Sequence, residues 1–298
     1  MLLTPTYNKN DILQRTLGFM DQLDPQPTEY IFLENNSHDA TLQTLTAWQH
    51  THPTTIIRWW LRDDAIQHVG NPFTILAQIR QTLLTEARKR DADYAIFVDD
   101  DILLFDPSFI TRLTHHRKPL VSASYSFPNA YHHGIFLNAI WNHNGGYQWR
   151  KSCTGLHTVC GVASGALCIR RDLLMDQRVS FTPITNPQLS EDFHYCERAL
   201  AYGYQPYLDC DLQVGHCFKA TDMGASLRYW HHRPWSRMPQ PQPSDHTIKF
   251  YDFHYGKPLQ DERDATRFVV FMPPKEDRPC TPTPSLTSTT TTPSSPSP

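Results

Sequence analysis

The chain has 298 residues with 27 basic and 30 acidic side chains, a net charge of −3, and 39% hydrophobic residues. That length suffices for a sizeable core in one large α/β domain or two joined lobes, and the mixed charge leaves no basic stripe for nucleic acid. The opening Met1-Leu2-Leu3-Thr4-Pro5-Thr6 lacks the basic start and apolar run of a secretory signal, and no apolar window reaches membrane-spanning length. Seven cysteines, odd in number and without a Cys-x-x-Cys pair, predict no disulfide framework and a reducing, cytoplasmic location.

Leu2 to Tyr7 reads as a short strand interrupted by Pro5, followed by a helix carrying Ile12, Leu13, Leu17 and Met20. Tyr30 to Leu33 is a second strand ending in the polar turn Glu34 to Asp39, and the next helix lines up Leu42, Leu45 and Trp48. Thr55 to Trp60 is a third strand, and the helix from Pro72 to about Arg90 aligns Ile75, Ile79, Leu83 and Ala87. Tyr94 to Val98 has no polar alternation and reads as a fully buried fourth strand. Such alternation predicts a mostly parallel sheet flanked by helices. Ligands of these sheets gather outside the carboxyl ends of the strands. Three polar clusters therefore meet in one crevice: Thr4 to Asn8, Glu34 to Asp39, and Asp99 to Asp101.

Beyond Pro107 the rhythm changes. Lys118 to Ser126 and Val159 to Ile169 are strand-like, and 129–151 reads as an irregular acceptor-side segment. Ser190 caps a helix that stops at Gly203, and a last strand near Pro206 to Val214 arrives at Gly215-His216. Residues 236–275 form an extension without clear period. The Pro/Ser/Thr-rich tail over 276–298 has too little apolar surface to fold.

Side chains alternate along an extended strand, so Asp99 and Asp101 are expected to project together and Asp100 the opposite way, supporting them from behind. Paired carboxylates repel unless a cation holds them, and oxygen ligands favour Mg²⁺ or Mn²⁺. The same triplet also suits a plain solvated turn. Glu191 and Asp192 in a first helical turn complement the helix dipole, while a carboxylate in a cleft also serves as a general base. Cys210, His216 and Cys217 lack the second half-site that a zinc centre needs. Trp141, Trp149, Trp230 and Trp235 offer faces for sugar rings or for ordinary packing.

Six segments in one order resemble the GT-A glycosyltransferases, in particular those similar to glycosyltransferase family 2: Leu3-Thr-Pro-Thr-Tyr-Asn8, Phe32-Leu-Glu-Asn-Asn-Ser-His-Asp-Ala-Thr41, Phe97-Val-Asp-Asp-Asp101, Gly161-Val-Ala-Ser-Gly-Ala-Leu-Cys-Ile-Arg-Arg171, Ser190-Glu-Asp-Phe-His-Tyr-Cys-Glu-Arg-Ala199 and Val214-Gly-His216. The resemblance implies a GT-A, Rossmann-like catalytic domain over 1–235, with a nucleotide-sugar half over 1–105 and an acceptor half over 106–235. It implies that Thr4, Pro5 and Thr6 lie along the nucleoside and that Glu34 recognises the base or ribose. Asp99 and Asp101 would hold Mn²⁺ or Mg²⁺ with His216, and Arg80, with Asp99 and Asp100, would serve the donor phosphates. Asp192, with Glu191 alongside, would be the base of an inverting transfer from a nucleotide-sugar, a UDP-sugar being the expected donor, to a hydroxyl of a glycan, lipid or other acceptor.

The chain departs from the family pattern in having Glu34 where an Asp is usual. It also has no Gln-x-x-Arg-Trp after the histidine, which speaks against a processive synthase. Two other functions remain open: a sugar nucleotidyltransferase, whose Gly-rich, Arg-containing first loop is replaced here by Thr-Pro-Thr-Tyr-Asn-Lys, and a non-catalytic nucleotide-sugar or glycan-binding protein.

Overall fold

The computed structural model describes residues 1–59, 72–129, 134–141, 148–184 and 189–217. The expected extension over 236–275, the tail over 276–298, Trp60, Trp230 and Trp235 lie outside the described residues.

In chain order the first half runs β1 (Leu2–Thr6), α1 (Asn10–Met20), β2 (Tyr30–Asn35), α2 (Thr41–Gln49), β3 (Thr54–Trp59), α3 (Pro72–Lys89) and β4 (Tyr94–Val98). Strands β3, β2, β1 and β4 lie side by side and parallel. The period-two sorting of their side chains builds two cores. Leu3, Ile31, Leu33 and Phe97 face Ile75, Ile79, Leu83 and Ala87 of α3. Leu2, Tyr30, Phe32, Ile96 and Val98 face Leu13, Leu17 and Met20 of α1 and Leu45 of α2. With both faces covered, every residue of β1 and β2 is buried. Each large apolar side chain withdrawn from water contributes about 1.5–3 kcal/mol.

The chain continues through β5 (Ile102–Leu103), α4 (Phe109–His115), β6 (Leu120–Ser124), β7 (Ser126–Asn129), β8 (Gly134–Leu137), β9 (Ala139–Ile140), β10 (Leu156–Thr158), β11 (Gly161–Val162), β12 (Ala166–Arg170), α5 (Arg171–Met175), α6 (Glu191–Ala201), β13 (Pro206–Gln213) and β14 (Gly215–His216). The main sheet has the order β10-β13-β6-β12-β4-β1-β2-β3. Strand β12 runs antiparallel to both β4 and β6.

Two expectations change. The segment over 159–169 is not one strand but β11 and β12, separated where the Ala163 N–H donates to the Asn138 carbonyl and the Gly165 carbonyl accepts from the Asp99 N–H. The stretch over 129–151, expected to be irregular, contains β8 and β9, and β8 pairs antiparallel with the preceding β7, Phe136 opposite Phe127 and Leu137 opposite Ser126.

No helix among the described residues is long and apolar enough to cross a membrane. The expectation of unpaired cysteines is overturned: Cys153 and Cys210 form a disulfide 57 residues apart in sequence. That separation leaves no short-range motif, and spacing alone could not show it. Such bonds persist in oxidising compartments, which removes the basis for assigning a reducing, cytoplasmic location. It also takes Cys210 out of any zinc site. Closing so long a loop is worth about 4 kcal/mol on the chain-entropy account. Cys153→Ala, or reductant on the unaltered chain, is therefore expected to lower the melting temperature on the order of 10 °C. An unchanged melting curve would show that the bond does not hold this region together.

Candidate active site at the carboxyl ends of the parallel strands

The loop after β1 is laced to the loop after β2. Asn8 and Asn36 adopt the left-handed conformation, with φ of 51° and 54°, which asparagine tolerates better than most residues. The Asn8 N–H donates to Ser37 Oγ at 3.0 Å and its Oδ1 accepts the His38 N–H at 2.7 Å. The Lys9 N–H reaches Thr41 Oγ1 at 3.1 Å, and the Asn10 N–H reaches Asp39 Oδ2 at 3.0 Å. Between these loops lies Glu34, buried at the end of β2. Its Oε1 accepts the Ser37 N–H, and its Oε2 lies 3.6 Å from Arg58 Nε without a hydrogen-bond partner among the described residues. Thr4 and Pro5 lie inside β1 and Thr6 at its end, all buried.

The acidic triplet is not extended. Strand β4 stops at Val98, and the Ile102 N–H closes a turn on the Asp99 carbonyl at 3.1 Å. The expected shared projection of Asp99 and Asp101 is therefore corrected: a turn sends the three carboxylates to three partners. Asp100 turns inward, its Oδ2 accepting the Tyr7 N–H at 3.2 Å and its carbonyl the Thr16 hydroxyl at 3.0 Å. Burial, and then the Asp101 charge, push its carboxyl up to about 7. Asp101 receives Lys9 Nζ on Oδ2 at 3.0 Å, and His216 Nε2 stands 3.5 Å from its Oδ1. Burial alone would raise Asp101, but His216 while it is protonated, and Lys9, outweigh it and hold the carboxyl below its ordinary value. Burial depresses His216, partly offset by Asp101, which favours the neutral imidazole. The pairing of β14 with β5 sets this meeting by placing His216 opposite Ile102.

Asp99 goes the other way. Arg80, only 3% exposed, donates from both terminal nitrogens to the two Asp99 oxygens at 2.9 Å each, and from Nε to Glu191 Oε1 at 3.0 Å. The structure thus pairs Arg80, expected to serve phosphate, with Asp99, expected to be a metal ligand, and the Asp99 side chain keeps 24% of its surface exposed. The neighbouring Asp192 is also buried. Its Oδ1 accepts the Ser190 hydroxyl and, at 2.8 Å, the Phe193 N–H. Ser190 thus stands at the helix start, but its hydroxyl serves Asp192 and makes no side-chain cap to the backbone. Burial raises Asp192, while Ser190 and Arg80 oppose the rise. Burial and the Asp192 charge push Glu191 up to about 8.

Two clusters therefore flank one turn, Asp101–His216–Lys9 on one side and Asp99–Arg80–Glu191 with Asp192 on the other. Gly165 lets them approach, because a Cβ there would stand 2.8 Å from Tyr125 Oη and 3.3 Å from Asp99 Oδ2. Lys9, Ser190, Tyr125 and Gly165 were not read as site residues from the sequence, although Ser190 and Gly165 stand in the quoted segments and Lys9 directly follows the Thr-Pro-Thr-Tyr-Asn run. Among the described residues no group of three or more His, Cys, Asp or Glu side chains is arranged to hold a metal. Asp101 Oδ1 and His216 Nε2 stand 3.5 Å apart, wider than the about 3 Å between neighbouring ligands of an octahedral Mn²⁺ or Mg²⁺, so a small inward movement would let both meet one ion. Replacing Arg80 by Met would strand buried carboxylates without their cation, at a cost of about 3–5 kcal/mol. Arg80→Met is expected to melt on the order of 10 °C lower; a loss within about 1 °C, the scale of a surface substitution, would contradict the clamp.

No family model matches the sequence. The chain is 30% identical over 129 residues to procollagen galactosyltransferase 1-A of Xenopus laevis, a stretch covering 39% of this chain and 21% of that protein. It superposes on S. aureus TarS 1-349 in complex with UDP-GlcNAc with a TM-score of 0.50 and 16% identity, over 73% of this chain and 58% of that one. Mannosyltransferase PcManGT from Pyrobaculum calidifontis, in complex with GDP-Man and Mn²⁺, gives a TM-score of 0.47 and 15% identity, over 73% of this chain and 56% of that one. The parallel β3-β2-β1-β4 half, the antiparallel β12 beside it and the likeness to TarS together give the chain the GT-A fold of glycosyltransferases.

Proposed function

We propose that the chain transfers a sugar, of hexosyl type, from a nucleoside-diphosphate sugar to an acceptor hydroxyl. The observation that carries this reading is the Arg80 clamp, which ties the acidic turn at the end of β4 to the start of α6. A donor diphosphate beside Asp101 and an acceptor hydroxyl beside Asp192 would then belong to one site.

Glu34, with one carboxylate oxygen unsatisfied beside Arg58, suits recognition of a nucleoside base or ribose. Its extra methylene relative to Asp and its packing on Ser37 set how deep the nucleoside enters. Asp100, accepting the Tyr7 N–H, would hold the loop after β1 in place beside that nucleoside. UDP is the donor nucleotide we infer, in line with the UDP-GlcNAc complex of TarS. Asp101 and His216 would hold a divalent cation, with diphosphate oxygens completing its coordination. When bound, that ion neutralises charge on the departing diphosphate.

Asp192 would take the proton. The acceptor oxygen bonds to the anomeric carbon, the carbon–oxygen bond to the diphosphate breaks, and the acceptor proton passes to the Asp192 carboxylate. One displacement inverts the anomeric centre. Burial makes Asp192 a stronger base than an exposed aspartate. Glu191, bound to Arg80, positions the helix start and does not meet the acceptor. The missing Gln-x-x-Arg-Trp motif supports a single transfer per encounter.

The test is transfer or donor hydrolysis measured with UDP-sugars and Mn²⁺. Asp192→Asn is expected to lose about 10²- to 10⁴-fold in kcat/KM while still binding UDP. Because the folded pKa of Asp192 is raised and the ionised form is the base, kcat/KM is expected to rise with pH, its acid limb displaced above the ordinary carboxylate range. Full activity in Asp192→Asn, or an acid limb that persists in it, would remove Asp192 as the base.

A further inference from the structure

Lys9 stands at the site without a part in the chemistry above. Its backbone is pinned: the carbonyl accepts the N–H groups of Ile12 at 2.9 Å and Leu13 at 2.8 Å in the first turn of α1, and its N–H donates to Thr41 Oγ1 at 3.1 Å. From that fixed base the flexible side chain carries its ammonium to Asp101 Oδ2 at 3.0 Å, while the other Asp101 oxygen faces His216 Nε2 at 3.5 Å. The lysine side chain remains about a quarter exposed, at 26%, so the ammonium has room to leave.

A nearly buried carboxylate needs a counter-charge. An ammonium and a divalent cation on the same carboxylate repel each other, so one gives way when the other arrives. Diphosphate oxygens coordinated beside Asp101 would be the nearest new anions for a displaced ammonium. Lysine suits such a move because it is a compact charge on a flexible stem.

We propose that Lys9 is an exchangeable counter-ion, which neutralises Asp101 until a divalent cation arrives with a nucleoside diphosphate and then moves from Asp101 to the phosphate oxygens. This rests on the reading that a metal–diphosphate complex binds at Asp101 and His216. One consequence is that the metal alone binds weakly. Metal and nucleotide then strengthen each other reciprocally, because each supplies what the other's arrival displaces.

The experiment is isothermal titration calorimetry on the full chain and on Lys9→Met, Lys9→Gln and Lys9→Arg, after thermal melting has verified the fold. Mn²⁺ is titrated with and without UDP, and UDP is titrated at saturating Mn²⁺. Lys9→Met is expected to bind Mn²⁺ alone at least about fivefold more tightly, and UDP at saturating Mn²⁺ at least about fivefold more weakly. Lys9→Gln, neutral but able to hydrogen-bond Asp101, is expected to give the same signs, and Lys9→Arg to stay near the unaltered chain. Cooperative Mn²⁺–UDP binding that both neutral variants leave unchanged would overturn the exchange alone. No binding of Mn²⁺ or UDP by any of the proteins would overturn the exchange and the proposed function together.

Discussion

The site depends on one buried cation. Arg80 reaches from α3 between the two halves of the chain, gives Asp99 a two-pronged bond and uses its remaining Nε–H on Glu191. Arginine suits this position because its planar fork matches a carboxylate and stays charged when buried. The arrangement fixes the end of β4 relative to the start of α6, which lie 93 residues apart counted from Val98 to Glu191. Asp192 and Asp101 are aimed from those two ends. A shift in the clamp would move the proposed base and the proposed metal ligand relative to each other.

Around that cation the carboxylates are sorted by their partners. Asp101, with Lys9 and His216, is kept ionised. Asp100, turned inward to the Tyr7 N–H, is pushed up by burial. Asp192 is raised as well, although four hydrogen-bonding or charged neighbours, Ser190, Arg80, Phe193 and Ser164, oppose the rise. Three acids consecutive in sequence thus acquire different partners because a turn, closed by Ile102 on Asp99, directs each to a different surrounding. The small residues at 163–165 and the hydroxyl of Tyr125 fill the space beneath, where only a residue without a side chain fits at 165.

Much of the fold was legible in the sequence. The uninterrupted apolar run Ala95 to Val98 and the helical spacing of Ile75, Ile79 and Leu83 left few alternatives for a strand and the helix covering it. The order of the polar clusters pointed to the strand ends as the candidate site. Three features stayed hidden for physical reasons. Alternation predicts direction only while a strand continues, and β4 ends one residue before Asp99. Nothing local distinguishes a buried arginine with two acids from a surface arginine, so the pairing of Arg80 with Asp99 and Glu191 left no signal in the sequence. The Cys153–Cys210 bond spans 57 residues, and the antiparallel insertion of β12 between β4 and β6 is set by long-range pairing.

The central claim is that Asp101 and His216, and not Asp99, meet the donor's cation. Crystals grown with UDP and Mn²⁺, measured at a wavelength where manganese scatters anomalously, test it most directly. The account predicts one manganese peak about 2.1–2.3 Å from an Asp101 carboxylate oxygen and from His216 Nε2, in contact with the diphosphate, with Arg80 still on Asp99. A peak bound to Asp99 with Arg80 displaced, or bound UDP with no manganese between Asp101 and His216, would contradict it.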